Sequence, residues 1–130
     1  MARRKRKQDE PTGVAPFAHL RGLGYALALT GIFVLIISFI VSVTAITEAW
    51  ARWMLAGGGI VAAVVGSYQV GKQMGRAGWL NGGITGAAYI AILLILALLL
   101  DLGLTAKSLI TLAAGFALGA AGGILGVNNR

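Results

Sequence analysis

Four long apolar stretches rich in glycine constrain this chain more than any other feature of its sequence. The runs Tyr25–Ile46 and Trp79–Leu100 contain no charged residue, and each exceeds the roughly 20 residues that a helix needs to cross a membrane. Residues 53–71 and 108–129 are two further uncharged stretches. The sequence therefore predicts an all-α membrane protein with four transmembrane helices, at about 23–46, 51–72, 79–101 and 107–127.

The composition argues against a soluble domain. The chain is 58% hydrophobic and 12% charged, whereas soluble domains carry about 25% charged residues. A cleaved signal peptide is the competing interpretation of the basic N-terminus, but the first apolar run is longer than the apolar region of about 7–15 residues in such peptides. We therefore expect the first helix to be retained. The chain contains no cysteine, so disulfide and thiol chemistry are excluded.

The predicted organisation is a basic, disordered cytoplasmic tail at 1–16 followed by a four-helix transmembrane domain at 17–130. Phe17–Gly24 is expected to lie at the membrane interface before the first span. The basic run Arg3–Lys7 is best explained as a topology signal that contacts anionic lipid headgroups. Nothing aromatic or structured accompanies the run, so nucleic acid is not an expected partner.

Positive charge is concentrated on one side of the predicted membrane. Short loops that are rich in Lys and Arg stay in the cytoplasm. The connections on the opposite side contain only Arg52 and Lys107, together with the acidic Glu48 and Asp101. Both termini are therefore predicted to be cytoplasmic, on the side of the remaining basic residues: Arg3, Arg4, Lys5, Arg6, Lys7, Arg21, Lys72, Arg76 and Arg130.

Glycines recur at four-residue spacing within three of the predicted spans. Residues four apart lie on one helix face, and small residues at that spacing let helix backbones approach closely in lipid. Packing within one bundle is the simpler interpretation. In the fourth span, surplus small faces that pack neighbouring subunits or line a cavity are an equally weighted alternative. The predicted helix-packing residues are Gly58, Gly66, Gly82, Gly83, Gly86, Gly115, Gly119, Gly122, Gly123 and Gly126.

A weak internal repeat places the second span on the fourth at a shift of 57 residues, aligning Gly58 with Gly115 and Gly66 with Gly123. The two hairpins would then be a parallel repeat about an axis along the membrane normal, as in some transporters. Chance alignment of apolar, glycine-rich helices is the alternative.

Reactive side chains are missing from the middle of the predicted spans. Ionisable residues inside a membrane usually mark ion or proton paths, but His19 precedes the first predicted span, and Glu48 and Asp101 lie at the outer ends. Metal sites need several His, Cys, Asp or Glu ligands. We therefore predict no catalytic residue, no metal, no cofactor and no enzymatic activity.

Polar residues do collect at the predicted cytoplasmic ends of the spans. Lys72, Arg76, Asn81 and Asn128 are the candidates for contact with a lipid headgroup or a partner. Asn81, beside two glycines near a helix N-terminus, is placed to bond a lipid phosphate or a neighbouring helix end. Interfacial anchoring and helix termination are the structural alternative.

Two segments carry a resemblance to a known family. The runs GWLNGGITGAAYIAILLILALLL (78–100) and AAGFALGAAGGILGVN (113–128) resemble the small four-helix membrane proteins of Gram-positive bacteria typified by YrzE. The resemblance is weaker over the first span and the basic tail. Members of that family are uncharacterised, and some are encoded near the translocase accessory protein YajC. The resemblance implies a multi-pass protein of the bacterial plasma membrane, with the protein-export machinery as one partner.

These observations lead to one main hypothesis and two alternatives. The main hypothesis is a non-enzymatic accessory or assembly subunit of a membrane complex, which works through its helix faces. The first alternative is a homo-oligomeric channel or small-solute transporter, with Ser38, Ser42, Thr85, Tyr89 and Thr111 as polar candidates that form no obvious single stripe. The second alternative is a protein that binds anionic lipid.

Overall fold

The computed structural model describes residues 15–129, and this part of the chain forms four helices. Each is long and apolar enough to cross a membrane, which confirms the predicted all-helical architecture. The predicted disordered tail lies outside the described residues, apart from its last two positions. The helices are α1 (Ala15–Val43), α2 (Glu48–Met74), α3 (Gly78–Leu99) and α4 (Ala106–Asn128).

Helix α1 begins well before the predicted start of the first span at residue 23. It includes Phe17–Gly24, which was expected to lie at the interface, and it includes His19. Pro16 is accommodated in the first turn, where its missing N–H would have no partner in any case. The early residues are helical because they pack: Ala18, Gly22 and Ala26, spaced by four, are all buried.

The helix pair α2–α3 occupies the middle of the bundle, with α1 and α4 on opposite sides. Helix α4 packs extensively on both α3 and α2, whereas α1 packs mainly on α2 and only lightly on α3. Over the described residues, α1 and α4 do not touch. In a two-fold repeat of the hairpins α1–α2 and α3–α4, the contact between α2 and α3 would have a counterpart between α4 and α1. That counterpart is missing from the described residues, so the two hairpins occupy non-equivalent places.

The turn between α2 and α3 is short and uses left-handed backbone twice. Gly75 ends α2 with φ 67° and donates its N–H to the Gly71 carbonyl, a helix end for which glycine is the usual choice. Ala77, the residue before α3, has φ 47°. An L-residue in this region pays about 1–2 kcal/mol that glycine does not.

Replacing Ala77 by glycine is therefore expected to raise the free energy of unfolding by up to about 1 kcal/mol, since glycine's larger unfolded-state entropy offsets part of the relieved strain. Chemical unfolding of the purified protein in lipid nanodiscs measures the change. Ala28→Gly is the matched control, because Ala28 is exposed within α1 and glycine there costs about 1 kcal/mol. A loss of stability in both variants would contradict the assignment of strain to Ala77.

Candidate functional site

The interface between α3 and α4 is a ladder of glycines in direct backbone contact. A methyl carbon added to Gly119 would overlap the Gly82 carbonyl oxygen and lie 2.8 Å from the Gly86 Cα. Real Cβ atoms essentially never approach a neighbour within 3.0 Å. The ladder pairs Gly78 with Gly123, Gly82 with Gly119, and Gly86 with Gly115.

A second row of glycines on α4 packs on α2. A methyl carbon on Gly122 would lie 2.6 Å from the Val64 carbonyl oxygen, and one on Gly126 would lie 2.8 Å from the Lys72 backbone nitrogen. All five predicted packing glycines of α4 are buried. The glycine rows of α4 thus contact α2 and α3 of the same chain, whereas Ala113, Ala117 and Ala121, also spaced by four, are exposed.

The remaining predicted packing glycines also have neighbours within the bundle. A methyl carbon on Gly66 would lie 2.7 Å from the carbonyl oxygen of Gly22 on α1. Gly58 faces the side chain of Phe33, and Gly83 faces the ring of Phe116. Aromatic side chains therefore fill the space beside two of these glycines, while backbone fills it at Gly66.

Polar side chains join α1 to α3 and α2 to α3 inside the bundle. The Nδ1 atom of His19 lies 2.7 Å from the Thr85 hydroxyl oxygen, and the hydroxyl oxygens of Thr30 and Tyr89 lie 2.6 Å apart. Ser67 donates its hydroxyl to the Gly82 carbonyl at 3.0 Å. Tyr89 is fully buried, so these contacts are part of the core.

Sequence reasoning named Thr85 and Tyr89 but missed their partners on α1. His19, Gly22, Ala26 and Thr30 are spaced by three or four residues and so share one helix face. That pattern is readable only if α1 begins before His19. With the first span starting at residue 23, the pattern is cut in half.

The other polar candidates for a transmembrane stripe lie elsewhere. Ser42 donates its hydroxyl to the Ser38 carbonyl at 2.8 Å, and Thr111 donates to the Lys107 carbonyl at 2.9 Å. Ser38, Ser42 and Thr111 are exposed. They therefore do not extend the buried polar contacts around Tyr89.

One end of the bundle is basic, and we call it the basic end: α1 and α3 begin there, and α2 ends there. Arg21, Lys72 and Arg76 are exposed at this end. Asn81 donates its side-chain N–H to the Arg76 carbonyl at 3.1 Å, so it closes the α2–α3 turn. Asn128 is exposed at the last turn of α4.

Acidic side chains in the described part of the chain lie at the opposite end. Glu48 begins α2, and Asp101 follows α3. Among residues 15–129, no group of three or more His, Cys, Asp or Glu side chains is placed to hold one metal ion.

The exposed face of α1 carries small residues, and two of its glycines contact no other part of the described chain, residues 15–129. No atom outside their own helix turn lies within 4 Å of the position that a methyl group would occupy on Gly24 or Gly31. A stripe with alternating spacings of four and three residues runs along this face, which we call the α1 outer face: Gly24, Ala28, Gly31, Leu35, Ser38 and Ser42, all exposed.

Comparison with known proteins gives one family and no characterised relative. A family model described as "Protein of unknown function (DUF3792)" matches residues 16–126, which contain α2 and α3 entirely and almost all of α1 and α4. No curated protein and no solved structure matches the chain.

Proposed function

We propose that this chain, which belongs to the DUF3792 family of proteins of unknown function, is a non-enzymatic accessory or assembly subunit of a membrane complex. It binds a transmembrane helix of another protein through the α1 outer face. The observation that carries the proposal is the contrast between the exposed small residues along this face and the glycine rows of α3 and α4, which pack within the chain.

Glycine within a helix needs a reason. It costs about 1 kcal/mol relative to alanine in a helix interior, and close backbone approach is the usual compensation in a membrane. Gly82 and Gly119 have that compensation inside the bundle, whereas Gly24 and Gly31 have open space. A partner helix seated on the α1 outer face supplies the missing contact.

Three further features favour α1 as the docking helix. It is the least buried of the four candidate spans, and α4 does not touch it. Its outer face repeats every seven residues on average, the spacing at which one helix seats along another. A partner helix is therefore able to lie along most of its length.

The complex is proposed to lie in the plasma membrane of a bacterium, with the basic end in the cytoplasm. The orientation is supported by the exposed Arg21, Lys72 and Arg76 at that end and by the tendency of basic loops to remain cytoplasmic. The bacterial membrane and the protein-export machinery as the partner rest only on the resemblance to the YrzE type and stay predictions.

Single cysteines test this orientation cleanly, because the natural chain has none. Gln73→Cys and Asn128→Cys, both exposed at the basic end, keep every basic residue; they are expected to resist a membrane-impermeant maleimide on intact cells and to react in inverted vesicles. Leu102→Cys, exposed at the opposite end, is expected to react on intact cells. The reverse pattern would place the basic end outside.

Contact with anionic lipid is a second candidate function, favoured by the basic end itself. Arg21, Lys72 and Arg76 are exposed there, and each basic residue near an anionic surface contributes about 1 kcal/mol. Asn81, which already bonds to Arg76, contributes the geometry of the turn. This contact orients the subunit and does not compete with docking on α1.

Extraction of the protein from its native membrane in polymer nanodiscs, without detergent, tests the main proposal. Particle mass and protein content are measured together. A particle that contains a second membrane protein in fixed stoichiometry supports an accessory subunit. A particle that holds only copies of this chain supports the alternative of a homo-oligomeric channel or transporter, and a lone monomer contradicts both.

A further inference from the structure

The hydrogen bonds between α1 and α3 have directions that the surrounding bonds dictate. The Thr85 hydroxyl donates to the Asn81 carbonyl at 2.9 Å, and the Thr30 hydroxyl donates to the Ala26 carbonyl at 2.8 Å. A hydroxyl has one proton to donate. Thr85 therefore accepts from the Nδ1–H of His19, and Thr30 accepts from the hydroxyl of Tyr89.

These two bonds distinguish one rotation of α1 from the others. Lipid is as apolar as leucine, so apolar side chains alone discriminate weakly between the faces of a membrane helix. Leu35 and Phe39 on the exposed side are as apolar as Ile37 on the buried side. Rotation of α1 would leave the buried Tyr89 hydroxyl without its acceptor, and an unpaired buried hydroxyl is costly.

We infer that the His19–Thr85 and Tyr89–Thr30 hydrogen bonds set the rotation of α1 on the bundle, and so decide which face of α1 a partner meets. The statement about the partner rests on the proposed docking function, whereas the statement about the rotation of α1 rests on the two hydrogen bonds alone. Gly22 on α1 and Gly66 on α2 bring the backbones of these two helices together. The polar pairs, one on each side of this contact along α1, fix the rotation of α1 about its own axis.

The test measures a distance and needs no partner. Spin labels are attached to Ser38→Cys on α1 and Ile110→Cys on α4, both exposed positions in a chain without natural cysteines. A rotation of one residue, about 100° on a helix about 10 Å across, displaces an exposed label by about 8 Å. Electron double-resonance spectroscopy in nanodiscs resolves such a change.

The combined variant Tyr89→Phe with His19→Leu removes both interhelical donors, because neither new side chain has a polar hydrogen, and it keeps side-chain volume nearly constant. We expect its label distance to shift or split by up to about 8 Å. His19→Asn alone keeps an N–H near the Nδ1 position and should retain the parent distance. Ser42→Ala, which removes a hydroxyl bonded only within α1, is the control and should also retain it.

A parent-like distance in the combined variant would overturn the inference. If that variant fails to fold, Thr30→Val with Thr85→Val, which removes both hydroxyl partners and nearly keeps their shape, takes its place, and a parent-like distance there would overturn the inference equally. A partner found in native nanodiscs together with an unchanged distance would leave the docking function standing and remove only the role of the polar pairs.

Discussion

Gly119→Ala and Gly31→Ala are expected to change stability in opposite directions, although both add one methyl group to a helix glycine. At Gly119 the methyl meets the backbone of Gly82 and Gly86, which cannot move aside as a flexible side chain does. Overpacking of this kind costs about 1–3 kcal/mol. At Gly31 the methyl enters open space, and the better helix former gains about 1 kcal/mol.

Unfolding of both variants by sodium dodecyl sulfate in mixed micelles, followed by circular dichroism, measures whether each substitution raises or lowers the free energy of unfolding. Gly57→Ala on α2 is a second control, because its methyl also meets open space. Equal destabilisation of all three variants would mean that the ladder between α3 and α4 is not the tightly packed element described above.

Gly31→Leu is expected to detach the partner without unfolding the bundle. A leucine side chain at the centre of the α1 outer face holds a partner helix away from its backbone, and small residues are what permits close approach in lipid. A loss of about 1.4 kcal/mol would weaken the affinity for the partner about tenfold. The readout is the ratio of partner to this chain in polymer nanodiscs from native membranes.

The matched control is Ala117→Leu, which places the same side chain at an exposed position on α4. That variant should keep the parental ratio, because no docking is assigned to this face. An equal loss in both variants would indicate a general effect of surface leucine. No loss in either would remove the α1 outer face as the docking surface.

The sequence was sufficient to predict the four helices but not to predict which helices pack against each other. Charge-free runs such as Trp79–Leu100 identify membrane-length helices directly. The start of α1 was missed because His19 and Arg21 interrupt the hydropathy signal, although both lie within the helix. Hydropathy reports the length of an apolar run, whereas helix starts depend on packing and capping.

Which helix each glycine would meet was also beyond the sequence. Glycines at four-residue spacing occur on α2, α3 and α4 alike, so the spacing does not choose between the possible pairings. In the structure, Gly119 contacts α3 and Gly122 contacts α2. The open face of α1 was overlooked for a related reason: Gly24 and Gly31 are seven residues apart, with alanine rather than glycine between them at position 28.

The central claim is that the α1 outer face binds another membrane protein, and photo-crosslinking in the native membrane tests it most directly. A photoreactive amino acid replaces Ala28 on α1 or, as the control, Ile110 on α4; both positions are exposed. The account predicts one protein adduct of defined mass from position 28, absent in the Gly31→Leu background, and only lipid adducts from position 110. Only lipid adducts from both positions, or an adduct with twice the mass of this chain, would contradict it.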